Sequence, residues 1–66
     1  MTPETIQQAV DTIRAIQRDR EAAHLYESAL HQAVLAAIAG GLVGDPAECA
    51  RVALTTADIQ FPRWFA

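Results

Sequence analysis

The chain has 66 residues, a net charge of −3 and 52% hydrophobic residues. A chain this short buries only about 60% of the surface that it exposes when unfolded, so a lone monomer is expected to be marginally stable without a disulfide, a metal or a partner chain. Cys49 is the only cysteine, which excludes an internal disulfide. The acidic balance, with scattered arginine and no lysine, lacks the basic patch that is typical of nucleic-acid binding.

The N-terminal stretch predicts a long helix. Thr2 suits the N-cap, Pro3 suits the first helical position, and Glu4 lies in the first turn, where the helix dipole favours negative charge. No glycine or proline then interrupts the chain before Gly40. These features predict a helix over about residues 3–39, which would be about 55 Å long and which the remaining residues are too few to cover.

The apolar pattern of this stretch changes face around residues 17–21, which are all polar. An isoleucine- and valine-rich stripe precedes them, and an alanine-rich stripe follows on a face more than about 100° away. Two interpretations stay open. A continuous or kinked helix is favoured because the segment has no Gly, Pro, Asn or Ser, and its two faces would then meet different partners. Alternatively, the helix breaks, Asp19 caps a second helix, and the chain covers itself as a three-helix bundle.

The second half of the stretch carries small residues at intervals of four, Ala29, Ala33 and Ala37, which would let another helix approach closely. Glycines in the turn over residues 40–45 end the helix. Asp45 and Glu48 then predict a capping box at the start of another helix over about residues 46–57, packed antiparallel against residues 26–39.

The fold prediction is therefore a single all-α domain over residues 1–66. It consists of the long helix, the glycine-rich turn, the shorter antiparallel helix and an aromatic tail over residues 58–66, assembled as a helical-hairpin dimer, with the three-helix bundle as the alternative. The N-terminus has no basic region followed by an apolar core, and the longest apolar stretch, residues 33–43, is shorter than the roughly 20 residues that span a bilayer. A cytoplasmic location and no membrane contact are expected.

Two candidate sites and one further functional class each have a simpler explanation. Glu21, His24, Glu27 and His31 share one helical face and could bind a metal, but a solvated polar face is favoured because a metal needs more convergent ligands. Cys49 near a helix N-terminus is interpreted as a buried hydrophobe rather than a reactive thiol. A small DNA-binding regulator is disfavoured by the acidic charge.

The functional prediction is a small non-enzymatic protein–protein interaction module, an adaptor, inhibitor or subunit, that acts as a homo-oligomer and binds another protein without a cofactor. Aliphatic residues of the N-terminal stripe are predicted to drive self-association, the alanine stripe to admit a helix, and the tail to pack or to contact a partner. The predicted interface residues are Ile6, Val10, Ile13, Ile16, Tyr26, Ala29, Ala33, Ala37, Phe61, Arg63, Trp64 and Phe65.

Overall fold

A computed structural model describes residues 1–63 of the chain, and three α-helices contain most of them. Helix α1 is Pro3–Ala15, α2 is Arg20–Ala39 and α3 is Pro46–Leu54, followed directly by a short 3-10 helix at Thr55–Asp58. Each α-helix packs against the other two, and residues 1–63 contain no β-strand. The predicted all-α class is confirmed, and the packing of three helices matches the alternative architecture.

The joint between α1 and α2 corrects the favoured prediction, because the helix over residues 3–39 is not continuous. Helix α1 ends at Ala15, and a turn closed by the Asp19 N–H bonding to the Ile16 carbonyl at 2.9 Å leads into α2. The Asp19 side chain then accepts a hydrogen bond from the Ala22 N–H at 3.2 Å. Asp19 therefore caps α2, as the alternative interpretation predicts.

Side chains also cap the other two helices. At α1, the Thr2 and Thr5 side chains each accept a hydrogen bond from the other residue's backbone N–H, at 3.2 and 3.0 Å. At α3, Asp45 accepts from the Glu48 N–H at 3.1 Å, but the Glu48 carboxylate pairs with Arg51 instead of reaching back to complete the predicted box. Helix α3 also stops at Leu54 rather than near residue 57.

Gly41 ends α2 in the left-handed conformation that the glycine-rich turn predicts, with φ of 68°. The Leu42 N–H then bonds back to the Ala37 carbonyl at 2.9 Å, and the Gly41 N–H bonds to the Ile38 carbonyl at 3.0 Å. These two bonds satisfy carbonyls that the helix itself leaves open. The chain is thereby turned toward α3 within five residues.

The core lies where the three helices and the segment after the 3-10 helix converge. Its largest fully buried apolar side chains, Ile6, Val10 and Ile13, all come from α1. The other helices contribute mainly small side chains, and the C-terminal segment adds two larger ones. The remaining buried apolar residues are Ala23, Val34, Cys49, Val52, Ala53, Ile59 and Phe61. The molecule measures 36 × 21 × 14 Å, which is shorter than the continuous helix would have been.

Candidate functional site

The residues that the sequence analysis assigned to self-association in α1 lie inside the chain's own core. Ile6, Val10 and Ile13 are 1%, 0% and 1% exposed. Ile16, at the end of α1, is partly buried and packs on the same core. The turn at residues 16–19 brings α2 back across α1, so the chain itself covers this stripe, and no partner is needed to do so.

In the described part of the tail, Phe61 packs in the core and Arg63 makes a polar contact. Phe61 is 8% exposed and belongs to the core, and the Arg63 guanidinium carbon lies 3.9 Å from the centre of its ring. Trp64 and Phe65 lie outside the residues that the structure describes. Within the described segment, the predicted tail residues therefore stabilise the chain's own fold.

Arg63 joins the C-terminal segment to α2 through a network of hydrogen bonds. Its Nε donates to both carboxylate oxygens of Glu27, at 3.0 and 3.3 Å, and its Nη2 donates to one of them at 3.2 Å. The same guanidinium donates to the backbone carbonyls of Thr56, Ile59 and Phe61 at 2.6, 3.1 and 3.0 Å. Charge-assisted bonds of this kind are stronger than neutral ones, so Arg63 fixes the segment after the 3-10 helix.

Glu27 is the buried charge in this arrangement, since only 7% of it is exposed. Burial alone raises the pKa of the Glu27 carboxyl. Hydrogen bonds from Arg63 and Thr56, together with the positive charge of Arg63, outweigh that effect and bring the pKa below its ordinary value. The carboxylate therefore stays ionised at neutral pH.

His31 lies one turn after Glu27 and joins α2 to the end of α3. Its Nε2 is 3.1 Å from the Ala53 carbonyl oxygen and 3.0 Å from the Thr56 hydroxyl. The Ala53 carbonyl oxygen can only accept, so a hydrogen bond to it requires a proton on Nε2, whereas the Thr56 hydroxyl can donate or accept. No buried side-chain polar atom in the described part of the chain lacks a hydrogen-bond partner. We call Glu27, His31, Thr56 and Arg63 the polar cluster. Its hydrogen bonds join α2 to α3 and to the C-terminal segment.

Side chains of the predicted metal-binding face bond to separate partners and do not converge on one point. Glu27 pairs with Arg63 and His31 bonds to α3, whereas Glu21 is exposed at the start of α2. Among residues 1–63, no three or more His, Cys, Asp or Glu side chains come together in a group that could hold a metal ion. Cys49 is fully buried, as the interpretation of a buried hydrophobe predicts.

A continuous uncharged surface lies on the side of α2 that points away from the core. We call it the α2 outer face. It covers about 140° of the helix circumference at 100° per residue, and none of its residues from Ala22 to Ala39 is charged at neutral pH. Leu25 and Tyr26 are 68% and 56% exposed there. The α2 outer face comprises Ala22, Leu25, Tyr26, Ala29, Gln32, Ala33, Ala36 and Ala39.

Two apolar clefts border this helix. A cleft of about 350 Å³ between α1 and α2 is lined by Ala9, Thr12, Ile13, Tyr26, Ala29 and Leu30. A second cleft of about 230 Å³ between α2 and α3 is lined by His31, Val34, Leu35, Ala50, Ala53 and Leu54. The first cleft continues the α2 outer face toward α1, since Tyr26 and Ala29 belong to both. The second cleft adds Leu35 and Leu54, which are 66% and 67% exposed, on the α3 side of the helix.

The predicted helix-binding residues map onto this surface. Tyr26, Ala29 and Ala33 are exposed on the α2 outer face, and Ala37 is half-buried beside it. An isolated exposed apolar residue is ordinary, but a contiguous exposed apolar patch commonly marks an interaction site. The alanine spacing predicts a surface for helix packing, with α3 against residues 26–39, but α3 leaves Tyr26, Ala29 and Ala33 exposed. Because the chain turns after α1, it covers the α1 stripe itself and leaves this face of α2 exposed to solvent.

Sequence reasoning missed the pairing of Glu27 with Arg63. A signal was present, because Glu27, like Arg20, interrupts a largely apolar helical register, and a charge at a buried position needs a partner. The partner lies 36 residues further along the chain, beyond any local pattern. The contact of His31 with Ala53 and Thr56 was missed for the same reason.

Comparisons with protein-family models, with curated proteins and with solved structures found no match to this chain. Across residues 1–63, no helix has both the length and the apolar character needed to cross a membrane. The α2 outer face and the polar cluster are therefore the features that indicate a function.

Proposed function

We propose that this chain is a small non-enzymatic interaction protein that works as a homo-oligomer, and that its subunits associate through the α2 outer face. The observation that supports the proposal is an uncharged helix face, from Ala22 to Ala39, on which Leu25 and Tyr26 remain more than half exposed. A surface helix of a monomer normally directs charged residues to solvent. Covering this face would remove apolar surface from water.

The small size of the chain supports the same proposal. With 66 residues, the fold has one modest core, and association is a common way for such domains to gain stability. The buried carboxylate of the described segment, that of Glu27, is engaged with Arg63 in joining α2 to the C-terminal segment. This use of the polar cluster favours an interaction module over an enzyme.

The first prediction tests this surface. Ala33 is exposed in the middle of the α2 outer face, so Ala33→Glu should place a charge where subunits meet and weaken self-association by at least about tenfold, since an unpaired buried charge is strongly unfavourable. Sedimentation velocity and light scattering over a wide concentration range measure the effect. Circular dichroism should show an unchanged helical fold, because Ala33 lies outside the core.

The matched control is Gln8→Glu, which adds the same charge at an exposed position of α1. It should leave self-association unchanged. A wild-type protein that stays monomeric throughout the concentration range would refute the proposed function. An oligomer that Ala33→Glu and Gln8→Glu leave equally intact would show that a different surface is used.

A further inference from the structure

The α2 outer face changes in side-chain size along its length. Its two large apolar side chains, Leu25 and Tyr26, lie near the start of the helix. Its last turns carry only Ala33, Ala36 and Ala39. Helices approach closely where large side chains of one meet small side chains of the other. The size gradient therefore constrains how another helix can lie along this face.

The middle of the face has the alternating steps of any helical stripe, so the sizes of its side chains decide the direction in which a second α2 fits. Ala22, Tyr26, Ala29, Ala33, Ala36 and Gly40 follow one another at steps of four, three, four, three and four. A twofold axis near position 31 would place Tyr26 opposite Ala36 of the partner subunit, and Ala29 opposite Ala33 of the partner subunit. In a parallel pair, Tyr26 would face its own copy and hold the two helices apart.

We infer that a second copy of this chain covers the α2 outer face, with the two α2 helices antiparallel and each copy's Tyr26 seated against Ala36 of the partner subunit. This inference rests on the proposed function and adds the orientation and register of the pair. The face is uncharged from Ala22 to Ala39, so two copies bring no like charges together. Antiparallel helices also align their dipoles favourably.

The cleft between α1 and α2 supports this arrangement. It has a volume of about 350 Å³ and is lined by Tyr26 and Ala29 on the α2 side and by Ala9 and Thr12 on the α1 side. In the antiparallel pair, the cleft borders the contact, so the surface available to the partner extends beyond a single helix. Isologous contacts of this kind use the same patch on both subunits and close the assembly at a dimer.

Distances between spin labels test the orientation directly. A Cys49→Ala background leaves the introduced cysteine as the only thiol in the chain. In Glu21→Cys, the label sits at an exposed position at the start of α2. In the antiparallel dimer, position 21 lies level with position 41 of the partner subunit. A separation of 20 positions at 1.5 Å each predicts labels about 30 Å apart.

The control label is placed at Gln32→Cys, which is exposed on the same side of α2 and close to the inferred twofold axis. Its two copies should be separated mainly by the interhelical distance of about 10 Å, apart from the reach of the label, in either orientation. A long distance for Glu21→Cys with a short one for Gln32→Cys supports the antiparallel pair. Short distances at both positions would overturn it in favour of a parallel dimer.

Light scattering on the same labelled samples separates failure of this inference from failure of the proposed function. Dimers with a short Glu21→Cys distance would contradict only the orientation. Dimers with long distances at both positions would show that the contact lies on another surface, and would contradict the α2 outer face as well. Monomers without dipolar coupling at either position would overturn both the antiparallel pair and the proposed self-association.

Discussion

At the residue scale, the pairing of Glu27 with Arg63 is the contact that defines the C-terminal part of the fold. A buried carboxylate is expensive unless its charge and its lone pairs are both satisfied. Here the guanidinium bonds to both carboxylate oxygens and uses its remaining donors on three backbone carbonyls. Arginine suits this position because its planar fork offers five donors in a fixed geometry.

Removing Arg63 should therefore destabilise the fold. In Arg63→Met the apolar stem is retained, but Glu27 is left buried and unpaired. We expect a loss of about 3 kcal/mol, at the lower end for broken buried pairs because the Arg63 side chain is 34% exposed. Urea unfolding followed by circular dichroism measures this change. Since domains of this size have a total stability of only about 3–10 kcal/mol, the loss is readily detected.

Two controls distinguish an unpaired charge from simple loss of packing. The double variant Glu27→Met/Arg63→Met removes both charges and should recover much of the lost stability, because paired removal leaves no buried ion. Arg51→Met removes an exposed arginine that pairs with Glu48 on the surface, and it should have little effect. If the double variant is no more stable than Arg63→Met, the loss does not come from the uncompensated carboxylate.

The contribution of Glu27 to folding stability should depend on pH with opposite signs in the wild type and in Arg63→Met. Because the folded-state pKa of Glu27 is lowered, its contribution is present above the ordinary glutamate pKa of about 4.3 and is lost as pH falls through the folded-state value. In Arg63→Met, Arg63 no longer lowers that pKa, so burial, the largest single effect on it, is opposed only by Thr56 and His31. Protonation then relieves the unpaired charge. The stability difference between the two proteins should therefore narrow from neutral to acid pH.

At the scale of single elements, the joint between α1 and α2 shows how a helix can end without glycine or proline. The turn uses backbone bonds from Asp19 to Ile16, and the Asp19 carboxylate caps the next helix. No residue other than glycine in the described part of the chain has positive φ, so the turn needs no strained backbone. A capping side chain and an apolar stripe to be covered are sufficient.

Asp19→Ala tests the importance of this cap. It should lower the free energy of unfolding by about 1 kcal/mol, because the Ala22 N–H loses its partner and the first turn of α2 loses a favourable charge. Urea denaturation measures the change. Gln8→Ala, at an exposed position inside α1 and away from the α2 outer face, serves as the control and should alter stability only slightly.

The same variant also tests the joint itself. Alanine is the strongest helix former, so Asp19→Ala is the substitution most favourable to a continuous helix. We expect the break to persist, because merging α1 and α2 would expose Ile6, Val10 and Ile13. A gain in helical signal together with higher stability would contradict this account of the joint.

At the scale of the whole molecule, the fold combines a small interior with a large apolar exterior. In the described part of the chain, ten apolar residues form the buried core, while Leu25, Tyr26, Leu35, Leu42 and Leu54 are each more than half exposed. Four of these five lie on α2 or on the α3 side of its second cleft, and Leu42 lies in the turn after α2. Apolar surface of this kind favours association, and the stability of an associating domain depends on its concentration.

Thermal unfolding should therefore depend on protein concentration. If the folded chain self-associates, mass action raises the melting midpoint as concentration increases, by a few degrees over roughly a hundredfold range. Scanning calorimetry at low and high concentration measures the shift. In Ala33→Glu the same rise should need at least about tenfold more protein, because the charge weakens association through the α2 outer face. A wild-type midpoint that does not change with concentration would argue against association of the folded state.

Local sequence patterns determined the starts of α1 and α3. Thr2 and Asp45 are short polar residues whose side chains reach the first free N–H groups of a helix, and each caps one in the structure. Asp19 caps α2 in the same way, but the sequence offered that start only as the alternative to a continuous helix. Gly41 similarly takes the left-handed conformation after α2. These choices depend on neighbours within a few residues, so they can be read without a tertiary structure. The all-α class and the alanine-rich face of α2 follow from helical periodicity in the same way.

Only the tertiary structure decided which apolar face the chain covers by itself. Residues 17–21 permit either a helix or a turn, and the turn is favoured because it buries Ile6, Val10 and Ile13 against α2 and α3. The pairing of Glu27 with Arg63 likewise joins residues 36 positions apart, and no local pattern encodes that distance. Burial and long-range charge pairing arise only when the helices meet. For this reason the tertiary structure, and not the local sequence, places the α1 stripe in the core and leaves the α2 outer face exposed.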